Sequence, residues 1–375
     1  MDGEKGVQRM GSFLHWNALT ITLTLFISLA SIDFLKDSND WEQIYIMIFL
    51  IIIALALLIT STNYFIEGAK GLARTAGIAE VVIGLTIVSI GTSLPEILFT
   101  TTSAIKSTAD PNLADLAIGN IYGSVLVQIT LVLGIVVLFK PLEIRPAWLR
   151  RDGLLMFLSI LTLTALLWEG GGLSRIEGAI LCLIYVVYIM WLLNDREDIK
   201  EDELKLDTAN PSSNLSWSGT AYFIMLVIGL TMAVYAANEL VSNATDVAYK
   251  LDVPHAIVGA TVTGLGTSLP ELTVAMVAAR KSQGVAIGTL IGSNITDPLL
   301  SIGIAAMANP FSMTTAATPL LANLIIPATL LGVFICLVMM WSGYKFSRFE
   351  GIILVAFYLI YIVLIELQRQ GFITL

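Results

Sequence analysis

The hexapeptide Gly91-Thr92-Ser93-Leu94-Pro95-Glu96 returns unchanged as Gly266-Thr267-Ser268-Leu269-Pro270-Glu271, 175 residues further on. Each copy sets one carboxylate and two hydroxyls beside a proline, inside a stretch apolar enough to cross a membrane. Those residue types can bind a cation. Proline has no N–H to give the carbonyl four residues back, so the carbonyls of Gly91 and Gly266 lose their helical partner. A polar backbone group cannot be left facing lipid and must be satisfied elsewhere. Thr92, Ser93, Thr267 and Ser268 add hydroxyl oxygens at the break, and Glu96 and Glu271 add carboxylates just beyond it. An ionisable side chain in hydrocarbon is costly and marks a functional site by default.

A second pair of segments follows the same logic. At an offset of 169, Gly123-Ser124 aligns with Gly292-Ser293, and Gln128 with Asp297. Ser293 and Asp297 are four residues apart and share a helix face, as do Ser124 and Gln128. The combined donor set is all oxygen: two Glu, one Asp, a Gln carbonyl, hydroxyls and backbone carbonyls. Calcium takes about six to eight oxygens at roughly 2.3–2.6 Å. Zinc, copper and iron favour imidazole or thiolate, and the histidines are only His15 and His255. Cys182 and Cys336 fall in separate apolar spans and read as small buried side chains. Three ionised carboxylates carry a charge that one calcium or three sodium ions would largely offset. Left without a cation in low dielectric they are strongly unfavourable, which favours exchange over leak.

These residues must be positioned by membrane helices. The chain of 375 residues is 56% hydrophobic and 13% charged, with mean hydropathy +0.84, whereas soluble domains carry about 25% charged residues. The net charge of −9 and the absence of a basic patch exclude nucleic acid as a partner. A span needs about 20 apolar residues. That length predicts spans near 17–35, 43–66, 78–105, 114–139, 153–168, 175–193, 218–242, 254–279, 284–308, 318–341 and 348–368. The first has two readings: a signal peptide, with Lys5 and Arg9 ahead of it and Ser28-Leu29-Ala30 for cleavage, or a retained extra helix. Its length favours retention. With the start of 43–66 outside, fifteen Lys and Arg fall inside and five outside, a positive-inside bias. It predicts a multi-pass plasma-membrane protein with the 195–216 loop cytoplasmic and the C-terminus outside.

The duplication extends well past the hexapeptide. Residues 82–107 match 257–282 at 11 of 26 positions without a gap, and Asn63 and Asn238 share the offset of 175. Each copy holds five spans. Five is odd, so the second copy enters the membrane inverted, the arrangement of secondary transporters with a midplane site between repeats. The predicted fold class is an all-α polytopic membrane protein. Its ten-helix core comprises two inverted five-helix repeats, 41–194 and 217–375, joined by the acidic linker 195–216 and preceded by the extra hydrophobic segment within 1–40.

The paired hexapeptides, each followed by a helix bearing Gly-Ser, resemble the alpha repeats of the sodium/calcium exchanger family, within the calcium/cation antiporter superfamily and of prokaryotic type. The resemblance covers the ten spans from about residue 43 onward. It implies a transporter rather than an enzyme, with no cofactor, calcium and sodium as cargo, the bilayer as surroundings and a monomer as functional unit. Carried over by position, Glu96 and Glu271 with the carbonyls of Thr92 and Thr267 would be the central calcium ligands. Ser93, Ser124, Ser268, Ser293 and the carbonyls of Ser89 and Gly264 would line flanking sodium sites, and Gln128 and Asp297 would complete the polar set. The two long helices, here 43–66 and 218–242, would slide against the rest to alternate access. The chain departs from the family at Gln128, where relatives often have Asn or Asp, and at Val125, opposite Asn294. An acid at both the 128 and 297 positions resembles the potassium-dependent branch, so Gln128 argues against potassium. Calcium/proton antiporters share the fold and the paired glutamates, and proton coupling is the alternative.

Other function classes fit less well. An intramembrane acid protease needs two acids sharing a water, but neither duplicated hydroxyls nor duplicated prolines. A passive channel is a third reading, and a site that crosses most easily when a cation neutralises its acids favours exchange over leak. The acidic stretch Asp195–Glu203 lacks the glycine and spacing of a calcium-binding loop and reads as a solvated linker. Asn294-Ile295-Thr296 matches a glycosylation sequon but lies in a predicted span, and reads as a chance match.

Overall fold

The structure is a computed structural model that describes residues 20–31, 44–77, 80–109, 111–195, 218–250, 268–314, 320–370 and 372. Its helices are α1 (Thr20–Ser31), α2 (Ile44–Ala76), α3 (Val81–Thr92), α4 (Leu94–Lys106), α5 (Leu113–Phe139), α6 (Pro146–Trp168), α7 (Arg175–Asn194), α8 (Gly219–Lys250), α9 (Leu269–Lys281), α10 (Gln283–Ala308), α11 (Leu321–Trp341) and α12 (Arg348–Arg369). Among the described residues eight helices are long and apolar enough to cross a membrane. The pair α3–α4, bent by 45° at Ser93, brings the number to nine. The chain is therefore a multi-pass membrane protein, and nine of the eleven expected spans fall on these helices. Of the expected 17–35 segment the structure describes only Thr20–Ser31, too short to cross a membrane. Of the expected span 254–279 the structure describes only the part from Ser268 onward.

One span differs. The expected 153–168 segment begins seven residues earlier, at Pro146. Arg150, Arg151 and Asp152 made that stretch look too polar for a helix in lipid. The structure resolves the conflict by pairing: Arg151 makes two hydrogen bonds to the buried Asp152, at 2.7 and 2.8 Å, and Tyr188 of α7 adds a third at 3.0 Å. A buried charge with its partner and hydrogen bonds in place is tolerable where a lone one is not.

The helices surround two central ones. The apolar windows of α10 and α5 are 83% and 78% buried, against 22% for α12 and 28% for α7, so the segments carrying Ser293–Asp297 and Ser124–Gln128 lie innermost. The half-helix α3 crosses α10 at Gly84 and Gly288. A Cβ on Gly288 would come within 2.6 Å of the Val81 carbonyl and 2.8 Å of the Gly84 Cα, so only glycine permits this approach. The long helices α2 and α8 pack along each other, and α2 also touches α3 and α9. The helix α1 lies against this pair, burying Leu29 and setting Phe26 5.1 Å from Tyr235, ring to ring.

Among the described residues, two short antiparallel ribbons tie the two halves of the chain together. Strand β1 (Leu142–Glu143) pairs with β4 (Lys345–Phe346), and β2 (Gly172–Leu173) with β3 (Phe311–Ser312). Each ribbon joins a strand from before the acidic linker to one from after it, and each turns apolar side chains inward: Leu142, Phe346, Leu173 and Phe311 are buried.

Candidate functional site

The site is built where α3 gives way to α4 and where α9 begins. Ser93 is the N-cap of α4, with φ −79° and ψ 4°, and Ser268 is the N-cap of α9, with φ −89° and ψ 5°. The two copies of the hexapeptide thus share one backbone geometry. The prolines fall in the first helical turn, where a missing N–H costs least, and Glu96 and Glu271 fall in that same turn. The positive end of a helix favours a carboxylate there.

Every described member of the expected set is buried. Ser89, Thr92, Ser93, Glu96, Ser268, Ser293 and Asp297 have essentially no exposure, and Glu271, Gln128 and Ser124 very little. Gly264 and Thr267 lie outside the described residues. Asp297 is the best-connected member: Gln128 Nε2 donates to its Oδ2 at 3.1 Å and Ser301 Oγ to its Oδ1 at 3.2 Å. Ser93 lies beside Asp297, and Thr92 beside Glu271, without closing a hydrogen bond. The charges of Glu271 and Asp297 act on each other.

A group of buried oxygens makes no hydrogen bond among the described residues: the hydroxyls of Ser93, Ser124, Ser268 and Ser293, the carboxylate of Glu271 and the side-chain carbonyls of Gln128 and Asn294. Buried polar atoms are ordinarily paired, and a concentration of unpaired oxygens around one region of the fold calls for a ligand that accepts their lone pairs. A cation is such a ligand. Among the described residues no three His, Cys, Asp or Glu side chains converge to hold one ion in common. An ion here would therefore draw on hydroxyl, amide and backbone oxygens as much as on carboxylates. That is a hard-cation donor set, not a zinc or copper one.

Three local π-helical turns bear the site: Gly84–Val88 leading into Ser89, Gln128–Val132 opening at Gln128, and Asp297–Ser301 opening at Asp297. Such turns release a backbone hydrogen bond and re-aim side chains, and they recur at functional positions. Gln128 and Asp297, aligned in sequence at the offset of 169, each begin one and face each other directly.

The residue pattern overlooked three neighbours. Ser301 stands four residues after Asp297, a spacing that would have revealed it. Thr296 directly precedes Asp297 in the second repeat, and nothing in its residue type marks it as a joint. Its hydroxyl is 2.6 Å from that of Ser89 and 3.1 Å from that of Tyr185. Tyr185, on α7, carries no signal in the sequence.

The family model described as sodium/calcium exchanger protein matches residues 46–194 and 221–366. An uncharacterized membrane protein of Methanocaldococcus jannaschii is 32% identical over 312 residues, covering 82% of this chain and 94% of that protein. The sodium/calcium exchanger MaX1 of Methanosarcina acetivorans is 26% identical over 349 residues, covering 84% of this chain and 97% of that one. Among solved structures, the sodium-calcium exchanger NCX_Mj, soaked with sodium and strontium, superimposes with a TM-score of 0.69 at 26% identity, covering 86% of this chain and 99% of that chain.

Proposed function

The chain belongs to the sodium/calcium exchanger protein family, and from that premise we propose that it is a secondary antiporter moving calcium against sodium across the membrane. The observation that carries the reading is the pair of buried glutamates, Glu96 and Glu271. Each sits in the first turn of a helix behind an uncapped serine. They act as the central calcium ligands with the carbonyls of Thr92 and Thr267. Ser93, Ser124, Ser268 and Ser293 and the carbonyls of Ser89 and Gly264 take sodium. Asp297, held by Gln128 and Ser301, supplies the third charge. Calcium and sodium are cargo, and the protein needs no cofactor and no catalytic step.

The architecture in this reading is two inverted five-helix repeats. The first comprises α2, α3–α4, α5, α6 and α7; the second comprises α8, the segment ending in α9, α10, α11 and α12. The shared geometry at Ser93 and Ser268 supports it, as does the cross-pairing of the two ribbons. Alternating access follows from movement of the paired α2 and α8 along the remaining helices, which exposes the glutamates first to one side and then to the other. The fifteen-to-five bias of Lys and Arg supports a cytoplasmic acidic linker and an outside C-terminus, and the family resemblance supports a plasma-membrane protein with the monomer as the working unit.

Calcium uptake into proteoliposomes tests the reading, with sodium and proton gradients imposed separately. An outward sodium gradient should drive uptake. Uptake that ignores sodium and follows a proton gradient would move the assignment to a calcium/proton antiporter on the same fold. Currents that need no counter-ion would make the protein a channel.

A further inference from the structure

Several buried threonines among the described residues donate their hydroxyls within their own helix. Thr86, Thr130, Thr289 and Thr329 each donate to the carbonyl four residues back. Thr296 differs from these four: even Thr329, which also reaches the Tyr122 carbonyl, keeps its bond to its own helix. Its hydroxyl meets Ser89 Oγ of α3 at 2.6 Å and the Tyr185 hydroxyl of α7 at 3.1 Å. All three residues are buried, Tyr185 at 3% exposure. A hydroxyl that bonds only across helices ties those helices together.

Three hydroxyls bring three protons to two contacts. A phenol oxygen, its lone pair drawn into the ring, donates better than it accepts. Either oxygen of each pair can donate, and the acidity of the phenol favours Tyr185 donating to Thr296 and Thr296 to Ser89. With its oxygen engaged by Tyr185, Thr296 stays turned toward α3 and away from its own backbone. The location matters because Thr296 immediately precedes Asp297, and the Ser89 carbonyl accepts from Thr92 Oγ1 at 3.3 Å. Tyr185 is also near enough to feel the Asp297 charge. One turn further along α7, Tyr188 bonds to Asp152, so α7 itself is anchored at a second point.

We propose that Tyr185 is a positioning residue for cation binding: through Thr296 it holds Ser89 against α10 and so sets the separation between the α3 and α10 halves of the site. The inference rests on the exchange reading of that site. Tyr185 touches no cargo, and it acts by restraining residues that do. Without its hydroxyl, Thr296 is free to turn to its own helix like those four threonines, and the carbonyl of Ser89 loses its registration against Asp297.

The test uses purified full-length protein and Tyr185→Phe, which keeps the ring and removes the donor. Cation binding is read as the sodium concentration at which melting is half-stabilised, and exchange as sodium-driven calcium uptake in proteoliposomes. The loss of one buried hydrogen bond should raise the half-stabilising sodium concentration roughly threefold to tenfold, with little change in cation-free melting. Thr296→Val removes the joint from the other side and should produce the same shift, and the double variant should be no worse than Thr296→Val alone. A lowered cation-free melting temperature with unchanged sodium dependence would reduce Tyr185 to packing and overturn the proposal. So would additive effects in the double variant. The two readings fail separately: wild type that binds sodium without exchanging calcium sinks the exchange reading, while Tyr185→Phe with wild-type sodium dependence sinks this one.

Discussion

Ser174-Arg-Ile-Glu177 and Ser347-Arg-Phe-Glu350 begin α7 and α12 at the surface, and Ser93-Leu-Pro-Glu96 and Ser268-Leu-Pro-Glu271 begin α4 and α9 in the interior. All four share the pattern Ser-x-x-Glu, the signature of a capping box. At the surface both boxes close. The Glu177 amide donates to Ser174 Oγ at 3.3 Å and Glu177 Oε2 accepts from the Ser174 amide at 2.7 Å. Ser347 and Glu350 repeat this at 3.4 and 2.7 Å. In the interior neither serine caps its helix. The backbone decides the difference. Ser174 and Ser347 are extended, with ψ of 166° and 159°, as a side-chain cap requires. Ser93 has ψ 4°, because its amide still serves the preceding helix, donating to the Ser89 carbonyl at 3.0 Å. The same four-residue pattern therefore stabilises a helix end in one place and leaves the serine hydroxyl available to a ligand in the other.

This contrast orders the expected effects of mutation. Glu96→Gln or Glu271→Gln should abolish calcium uptake, a loss of more than about a hundredfold, since a neutral amide cannot replace a buried carboxylate on a divalent cation. Near-normal uptake by either variant would remove the central claim. Ser93→Ala and Ser268→Ala come next. Removing one uncharged ligand should slow exchange roughly tenfold. Melting without cation should hold or rise slightly, because each serine hydroxyl makes no hydrogen bond there and a buried unpaired hydroxyl is costly. A drop in cation-free stability would mean that these serines cap after all.

How far the sequence could be read depends on which force placed each element. Hydropathy located the spans because burial in lipid is what forms them, and the duplicated hexapeptide pointed to the break at Ser93 because proline must interrupt the hydrogen-bond ladder. Reading from hydropathy missed the start of α6, where Arg151 and Asp152 cancel each other in a way no residue-by-residue scale registers. The Ser89–Thr296–Tyr185 joint was equally hidden: it is a long-range contact among three residues that elsewhere serve as ordinary helix members. The two-residue ribbons β1–β4 and β2–β3 carry no periodicity to detect. The Ser-x-x-Glu pattern was present four times, yet its meaning rested on the backbone of the residue before each helix.

The surface boxes provide the converse substitutions. Ser174→Ala and Ser347→Ala should each cost about 1 kcal/mol, seen as a fall of roughly 2 °C in melting, with sodium-driven uptake unchanged. Equal losses of stability in the interior and surface serine variants would erase the distinction between them.

The smallest effect is the most discriminating, because it applies one substitution at one motif position in both settings. Glu177→Gln and Glu350→Gln keep a side-chain carbonyl at the third helical position, and glutamine closes a capping box as glutamate does. What is lost is the charge near the helix N-terminus, worth about 0.3–1 kcal/mol at an exposed position and less once salt screens it. Both variants should melt within roughly 1 °C of wild type and exchange calcium at the wild-type rate. At Glu96 and Glu271 the same change leaves the helix start equally intact, so any difference in outcome comes from the charge itself. If Glu177→Gln slowed exchange as much as Glu96→Gln, the carboxylates would matter for helix ends, and the interior pair would have no special claim to the cation.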